Sequence, residues 1–232
     1  MLVKRRGMDM KEINHVHTYR CKHSDIDEVI LVEKCIEKGI DKITFTDHAP
    51  FPGNPFGHRM DYEELELYIK NISDLKEKYR GNIDIICGLE VEYLPSFEDY
   101  YKELKENVEI DTLYLGQHMY ELEPGVYSYS FDRTMEFLGL TDAMVKGAES
   151  GYFDVIAHPD RCFRRHKVWT DEIALCAKKI IDAAIENKLL LEQNETSKRK
   201  TNHYREEFWN MVQDENMIVH GYDLHYMNEL FL

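Results

Sequence analysis

The sequence has 232 residues, with 29 Lys and Arg against 44 Asp and Glu, a formal net charge of −15, and 11 His. That length is ample for one domain with a real core, and 43% hydrophobic with 31% charged residues marks an ordinary globular chain, not a disordered one. The acidic balance excludes a sequence-independent duplex-DNA binder, which requires a basic face, and no apolar run approaches the ~20 residues of a membrane span. No apolar h-region follows Met1–Arg6, so no signal peptide is expected. The five cysteines (Cys21, Cys35, Cys87, Cys162, Cys176) are odd in number, scattered and without a CxxC pair. A disulfide framework or a zinc finger is therefore not expected, and the usage fits reduced thiols in the cytoplasm.

Taken in chain order, short β-like runs alternate with helical ones. Glu12–Val16 reads as the first strand, and Ser24-Asp25 as the N-cap of a helical run that ends near Gly39. Lys42–Thr46 is the second strand. The Gly- and Pro-rich loop Pro50–Gly57 follows, as either a flap or a plain connection. Asp61–Tyr79 places Tyr62, Leu65, Ile69, Ile72 and Tyr79 on one helical face, with Glu and Lys opposite. Ile83–Glu90 and Thr112–Gln117 are the third and fourth strands, with the Tyr-rich segment Tyr114–Tyr129 covering or lining the end of the fourth. Then come a helix over Asp132–Ser150, a strand at Phe153–Ala157, a helix over Thr170–Lys188 and a strand at Leu189–Gln193. A shorter helix over His203–Asp214 and a last strand at Met217–Gly221 complete the series. The strand runs are rich in Ile, Val, Leu and Phe, as strands buried on both faces are. Such alternation predicts an α/β fold with a parallel sheet, as one domain over residues 1–232. A distorted, nearly closed (β/α)7 TIM-like barrel is the natural form, since no GxGxxG follows the first strand to indicate an open doubly wound sheet.

The strand ends carry the chemistry. The first ends in His15-Val16-His17, the second in Asp47-His48, the third in Gly88-Leu89-Glu90 and the fourth in Gln117-His118. The fifth ends in His158-Pro159-Asp160, the sixth in Gln193-Asn194 and the last in Asp223-Leu224-His225. In a (β/α) barrel these ends converge on one mouth. On a strand, HxH puts both imidazoles on one face because the period is two. Imidazole mixed with carboxylate suits Zn, Mn or Fe over Mg or Ca. Adding His23 gives nine candidate ligands: His15, His17, His23, His48, Glu90, His118, His158, Asp223 and His225. Nine exceed one tetrahedral ion, so two or three divalent ions are expected, with Glu90 able to bridge.

These residues, in this order, resemble the PHP (polymerase and histidinol phosphatase) family. There the HxH, a third His, T[DE]H, GxE, two isolated His and DxH bind a trinuclear metal cluster in a distorted (β/α)7 barrel. Within it, Thr46–Pro52, Arg59-Met60 and Gly88–Pro95 look most like the stand-alone histidinol-phosphatase branch, which hydrolyses L-histidinol phosphate. The end motif departs from the usual G-S-D-x-H by placing Tyr222 where Ser is common, and the chain ends seven residues after His225. Tyr222 is therefore expected to reshape the pocket.

Two basic clusters run against the acidic background: Arg161, Arg164, Arg165, His166 and Lys167, and Lys198, Arg199 and Lys200. Guanidinium binds phosphate bidentately, so Arg161 and Arg199 are the candidates. The resemblance implies the same two positions as phosphate contacts. Metal-assisted hydrolysis of a small phosphate monoester is expected, with Glu90 and Asp160 at the reacting centre beside the two arginines. His58 and Arg59 of the Pro50–Gly57 loop region are further substrate contacts. Of the other histidines, His166 and His203 have no assigned role, and His220 reads as a core residue within the last strand. An amidohydrolase is disfavoured because it uses Lys after the fourth strand, where His118 stands here. Another PHP substrate (a nucleotide, an oligonucleotide or phosphotyrosine) and a non-catalytic metal-stabilised scaffold are the alternatives.

Overall fold

The computed structural model describes residues 11–128, 135–200 and 202–230. Its seven parallel strands are β1 (Glu12–Val16), β2 (Lys42–His48), β3 (Asp84–Val91), β4 (Thr112–Leu115), β7 (Val155–Ile156), β8 (Leu190–Asn194) and β9 (Ile218–Gly221). They pair in the order β1-β2-β3-β4-β7-β8-β9, so sequential strands are neighbours throughout. A two-stranded antiparallel hairpin, β5 (Glu121–Glu123) and β6 (Val126–Tyr127), is inserted after β4. The chain beyond β9 returns to β1. Tyr222 N–H donates to the Asn14 carbonyl at 2.9 Å, Leu224 N–H to that of His15 at 3.0 Å, and His17 N–H to that of Leu224 at 2.9 Å. With Val16 bridging Leu224 in parallel, the sheet is a nearly closed barrel.

The connecting helices are α1 (Glu28–Glu37), α2 (Leu65–Lys78), α3 (Glu98–Glu106), α4 (Glu136–Glu149) and α5 (Asp171–Asn187), with short α6 (Glu195–Arg199) and α7 (Glu206–Trp209) near the mouth. Local chemistry explains their limits. Asp27, not Ser24 or Asp25, caps α1, its Oδ1 accepting from Val29 and Ile30 N–H, and Gly39 follows the helix in the left-handed region at φ 71°. Thr170 caps α5 through Ile173 N–H. The apolar faces of the helices and strands form one large core, with Phe45, Tyr68, Tyr101, Phe163 and Phe208 fully buried, and Tyr114, Val155 and Ala157 make a second, small cluster. Among the described residues no helix is long and apolar enough to cross a membrane.

Three expectations need correction. The helix expected over His203–Asp214 is a single four-residue turn, Glu206–Trp209. Helix α3, rich in Glu and Tyr, was not expected at all. His220 is exposed, with Nδ1 3.2 Å from Glu195 Oε1, because its side chain faces away from the barrel interior. Residues 132–134 of the helix expected over Asp132–Ser150 lie outside the described residues.

Candidate metal centre

The first ligand pair is not set by regular strand period. The β1–β2 register shifts between Ile13 and Val16, and His15 takes a left-handed φ of 66°. This bulge, not the two-residue period, brings His15 and His17 together, with their Nε2 atoms 3.0 Å apart. His158 and Asp223 also have positive φ, 33° and 49°, just past β7 and β9. Three non-glycine residues in left-handed backbone thus cluster at one mouth, an uncommon state for any side chain with a Cβ.

Glu90, at the end of β3, is the hub and is only 1% exposed. Its Oε2 lies 2.9 Å from His48 Nδ1 and 3.5 Å from Nε2 of both His15 and His17. Its Oε1 lies 3.0 Å from His158 Nε2 and 3.7 Å from His118 Nε2. Asp223 Oδ1 sits 3.2 Å from His17 Nε2 and 3.4 Å from His225 Nδ1. The His225 ring stacks on His17 at 4.2 Å between centroids and lies 4.6 Å from His23, which is 5.4 Å from His48. All nine side chains singled out in the sequence therefore meet at the C-terminal ends of the strands.

Their unsatisfied atoms show what the arrangement can hold. Glu90 Oε2 and His48 Nδ1 are only 2.9 Å apart, yet both are buried without a hydrogen bond, because the geometry is wrong for one. His17 Nδ1 and His225 Nε2 are likewise buried and unpartnered. Unpaired buried polar atoms are costly unless something compensates them. Sets such as His15, His17 and Asp223, or His23, His48 and His225, have ligand atoms within 4.8 Å of one another. This donor set fits a divalent cation of the Zn, Mn or Fe type.

Most of the histidines are held toward the neutral form, whereas burial is outweighed at His15 by the carboxylates Glu192 and Glu90, and at His118 by Glu90 and Glu92, which raise the imidazole. Burial lowers His17 and His48, and burial with Arg161 lowers His158 to about 4. Burial, with His17 beside it, lowers His225 to about 4. Neutral imidazole is the ligating form. Burial opposes ionisation of Glu90 and Asp223, but surrounding His and Arg161 outweigh it and hold both carboxyls well below the usual range.

Two carboxylates that sequence reasoning missed support this cluster. Glu192, fully buried on β8, accepts from His15 Nδ1 at 2.7 Å and from the His158 N–H at 2.9 Å. Glu92, just past β3, accepts from His118 Nδ1 at 3.0 Å. An available signal was parity: Glu192 lies two residues before Asn194, and Glu92 two after Glu90, on the same strand faces.

The remaining expected residues separate. Arg161 faces a cavity of about 510 Å³ above the cluster, fixed by Asp223 Oδ2 at 2.8 Å and Ser197 Oγ at 2.9 Å. His58 and Arg59 line the same cavity with Pro55, Phe56 and Met119. Arg59 is buried in an ion pair with Glu92. Arg199 is exposed and points at the Glu229 carbonyl, 3.5 Å away, outside the cavity lining. Asp160 is fully buried and turned from the cavity: its Oδ2 accepts from Arg205 N–H at 2.8 Å and Trp209 Nε1 at 3.0 Å. It anchors α7, and its placement does not match the expected catalytic position. Tyr222 is packed in the core and does not line the cavity, so the Ser-to-Tyr departure leaves that wall untouched.

A model of the PHP domain matches residues 14–196. The chain belongs to the PHP domain family. This PHP chain is 38% identical over 131 residues to the histidinol-phosphatase of Bacillus subtilis (strain 168), covering 53% of the chain and 45% of that protein. It is 28% identical over 156 residues to the Deinococcus radiodurans "Probable histidinol-phosphatase", covering 63% of the chain and 59% of that protein. It thus spans about half the length of the curated relatives it matches. Among solved structures, a Listeria monocytogenes protein assigned as histidinol phosphatase superposes with a TM-score of 0.74 at 19% identity, over 95% of this chain and 97% of that one. The Lactococcus lactis histidinol phosphate phosphatase, solved with zinc, L-histidinol and phosphate, gives 0.68 at 21% identity over 93% and 86%. These likenesses establish the distorted (β/α)7 barrel for the PHP chain.

Proposed function

We propose that this PHP chain is a metal-dependent phosphatase of small phosphate monoesters and that L-histidinol phosphate is its substrate. The observation that carries the reading is the convergence of nine imidazole and carboxylate side chains beneath a cavity walled by Arg161. Two curated relatives bear the histidinol-phosphatase name, and a structural neighbour was solved with L-histidinol and phosphate.

Two or three divalent ions of zinc, manganese or iron would be held by His15, His17, His23, His48, Glu90, His118, His158, Asp223 and His225. Glu90 offers one oxygen to His15, His17 and His48 and the other to His118 and His158, an arrangement suited to a bridge. Bound ions of this kind supply Lewis-acid neutralisation of phosphoryl oxygens and lower the pKa of water.

The chain's own groups do the rest. Arg161, held by Asp223 and Ser197, presents a fixed guanidinium to the phosphoryl group and offsets charge that develops on it. Arg199 acts as an exposed rim cation that draws the anion toward an otherwise acidic protein. Pro55, Phe56 and Met119 bury the organic part of the substrate, and His58 offers it a hydrogen bond. Asp160, tied to Trp209, is given no part in proton transfer.

The test is kcat/KM for the metal-loaded protein on L-histidinol phosphate, 5′-nucleotides, phosphotyrosine and a short oligonucleotide. L-Histidinol phosphate should exceed the others by roughly tenfold or more, about 1.4 kcal/mol in transition-state binding. Preference for another monoester would replace the substrate, and no phosphate release from any of them would overturn the phosphatase reading.

A further inference from the structure

Arg59 has a nearly buried guanidinium although it sits on the loop at the edge of the cavity. Its Nη1 and Nη2 donate to Glu92 Oε2 and Oε1 at 2.9 and 3.1 Å, a bidentate pair. Nη1 also donates to the Ala49 carbonyl at 2.9 Å, and Nε to that of Gly57 at 3.3 Å. One side chain therefore joins both ends of the loop that follows β2. The rings of Phe51 and Phe56 flank the cation, 5.5 and 5.4 Å from it. Four of the five N–H groups are engaged inside the protein, which leaves one, too few for a bidentate grip on phosphate.

Glu92 passes this fixation on. Both of its oxygens accept from the Arg59 fork, and Oε1 also meets His118 Nδ1 at 3.0 Å, so His118 Nδ1 is the donor in that contact. With Nδ1 engaged by Glu92, Nε2 is the nitrogen turned toward Glu90 Oε1, 3.7 Å away. His118 needs such a brace more than its neighbours: its side chain is 32% exposed, whereas those of His15 and His17 are fully buried.

We infer that Arg59 is a positioning residue for the metal centre. It orients Glu92, through Glu92 it sets the tautomer and direction of His118, and it thereby couples the 49–59 loop to metal binding. Outer partners of ligating histidines have this effect generally. The inference rests on the proposed role of His118 as a metal ligand and replaces direct substrate binding by Arg59.

The experiment is a zinc titration of metal-free protein against a competing chelator, with a parallel cobalt absorption spectrum. The variants are Arg59→Lys, Glu92→Gln, the double Arg59→Met/Glu92→Gln, and His118→Ala. Each single change at 59 or 92 should weaken the His118-dependent site by about 10- to 100-fold and alter the cobalt spectrum. The double variant leaves no lone buried charge, so it should fold, and it should lose no more than the worse single change because both act through one network. In excess metal, KM should hold while kcat falls. Wild-type zinc affinity in Arg59→Lys and Glu92→Gln, with KM raised in the former, would overturn the inference and return Arg59 to the substrate. Additive losses in the double variant would also overturn it. Unchanged metal binding in His118→Ala would instead remove the ligand assignment on which it depends.

Discussion

Gly116, just past β4, shows how sharply the centre depends on one missing methyl group. A Cβ built there would lie 2.2 Å from Glu90 Oε1, 2.3 Å from its Cγ and 2.4 Å from its Cδ, whereas ordinary contact begins at 3.4 Å. Gly116 is not among the positive-φ glycines, so alanine is compatible with the backbone, and the three atoms nearest the added methyl all belong to Glu90. Glu90 must withdraw by about 1.2 Å, the difference between 2.2 and 3.4 Å. It is buried among five imidazoles and cannot retreat without leaving them. Overpacking of this kind costs ~1–3 kcal/mol of stability. Ligand distances tolerate only about ±0.2 Å, so the loss in metal affinity should be much larger than the loss in stability suggests. Misplacement by about 1 Å also lowers turnover by roughly 100-fold. Gly116→Ala should therefore fold, melt a few degrees lower, and lose metal and activity together. The assays are metal content by elemental analysis, thermal melting and phosphate release. A Gly116→Ala protein with full metal content and wild-type turnover would refute Glu90 as the hub.

Glu192→Gln should cost ~1–3 kcal/mol of stability, since in one orientation its amide nitrogen would face the donors of His15 and Asn194 and in the other that of the His158 backbone. Chemical unfolding of the metal-free protein measures it, and wild-type stability would refute the supporting role. Arg161→Lys should raise the Ki of inorganic phosphate about tenfold or more, because lysine has no bidentate fork; an unchanged Ki would remove Arg161 from the phosphate site. Burial, then Arg161 and Arg164, lowers His203 to about 4, below the ~6.5 of an unfolded chain. Between those values the unfolded state binds the extra proton, so His203 makes stability fall as pH falls from about 6.5 to 4. Urea unfolding of metal-free protein at pH 7 and pH 5 should show a smaller drop for His203→Asn than for wild type, and equal drops would contradict the shift.

Much of this site was legible because barrel strands deliver their last residues to a common mouth. His48, Glu90, His118 and His158 could be placed from strand ends alone, and Asp223 and His225 from the DxH that follows β9. For His15 and His17 the strand period is only part of the reason. Strand period implies a shared face, but the chain achieves it through a bulge at His15, a backbone state that no spacing encodes. Glu92 and Glu192 were hidden because their roles depend on partners distant in sequence, Arg59 and His118 for one, His15 and His158 for the other. Arg59 reads as a substrate contact from its neighbours in the chain, and its buried pairing with Glu92 is visible only when β3 is laid beside its loop. Asp160 reads as a free acid for the same reason, since Trp209 lies 49 residues away. His220 misled through pattern: its place in an apolar run does not fix which face it turns to solvent.

The most direct test of the central claim measures metal content and turnover on the same sample. Purified protein should carry two or three divalent ions per chain and hydrolyse L-histidinol phosphate. Chelation should abolish both together, and readdition of zinc, manganese or iron should restore them. Full turnover by the metal-free protein, or no phosphate release by the fully loaded one, would contradict it.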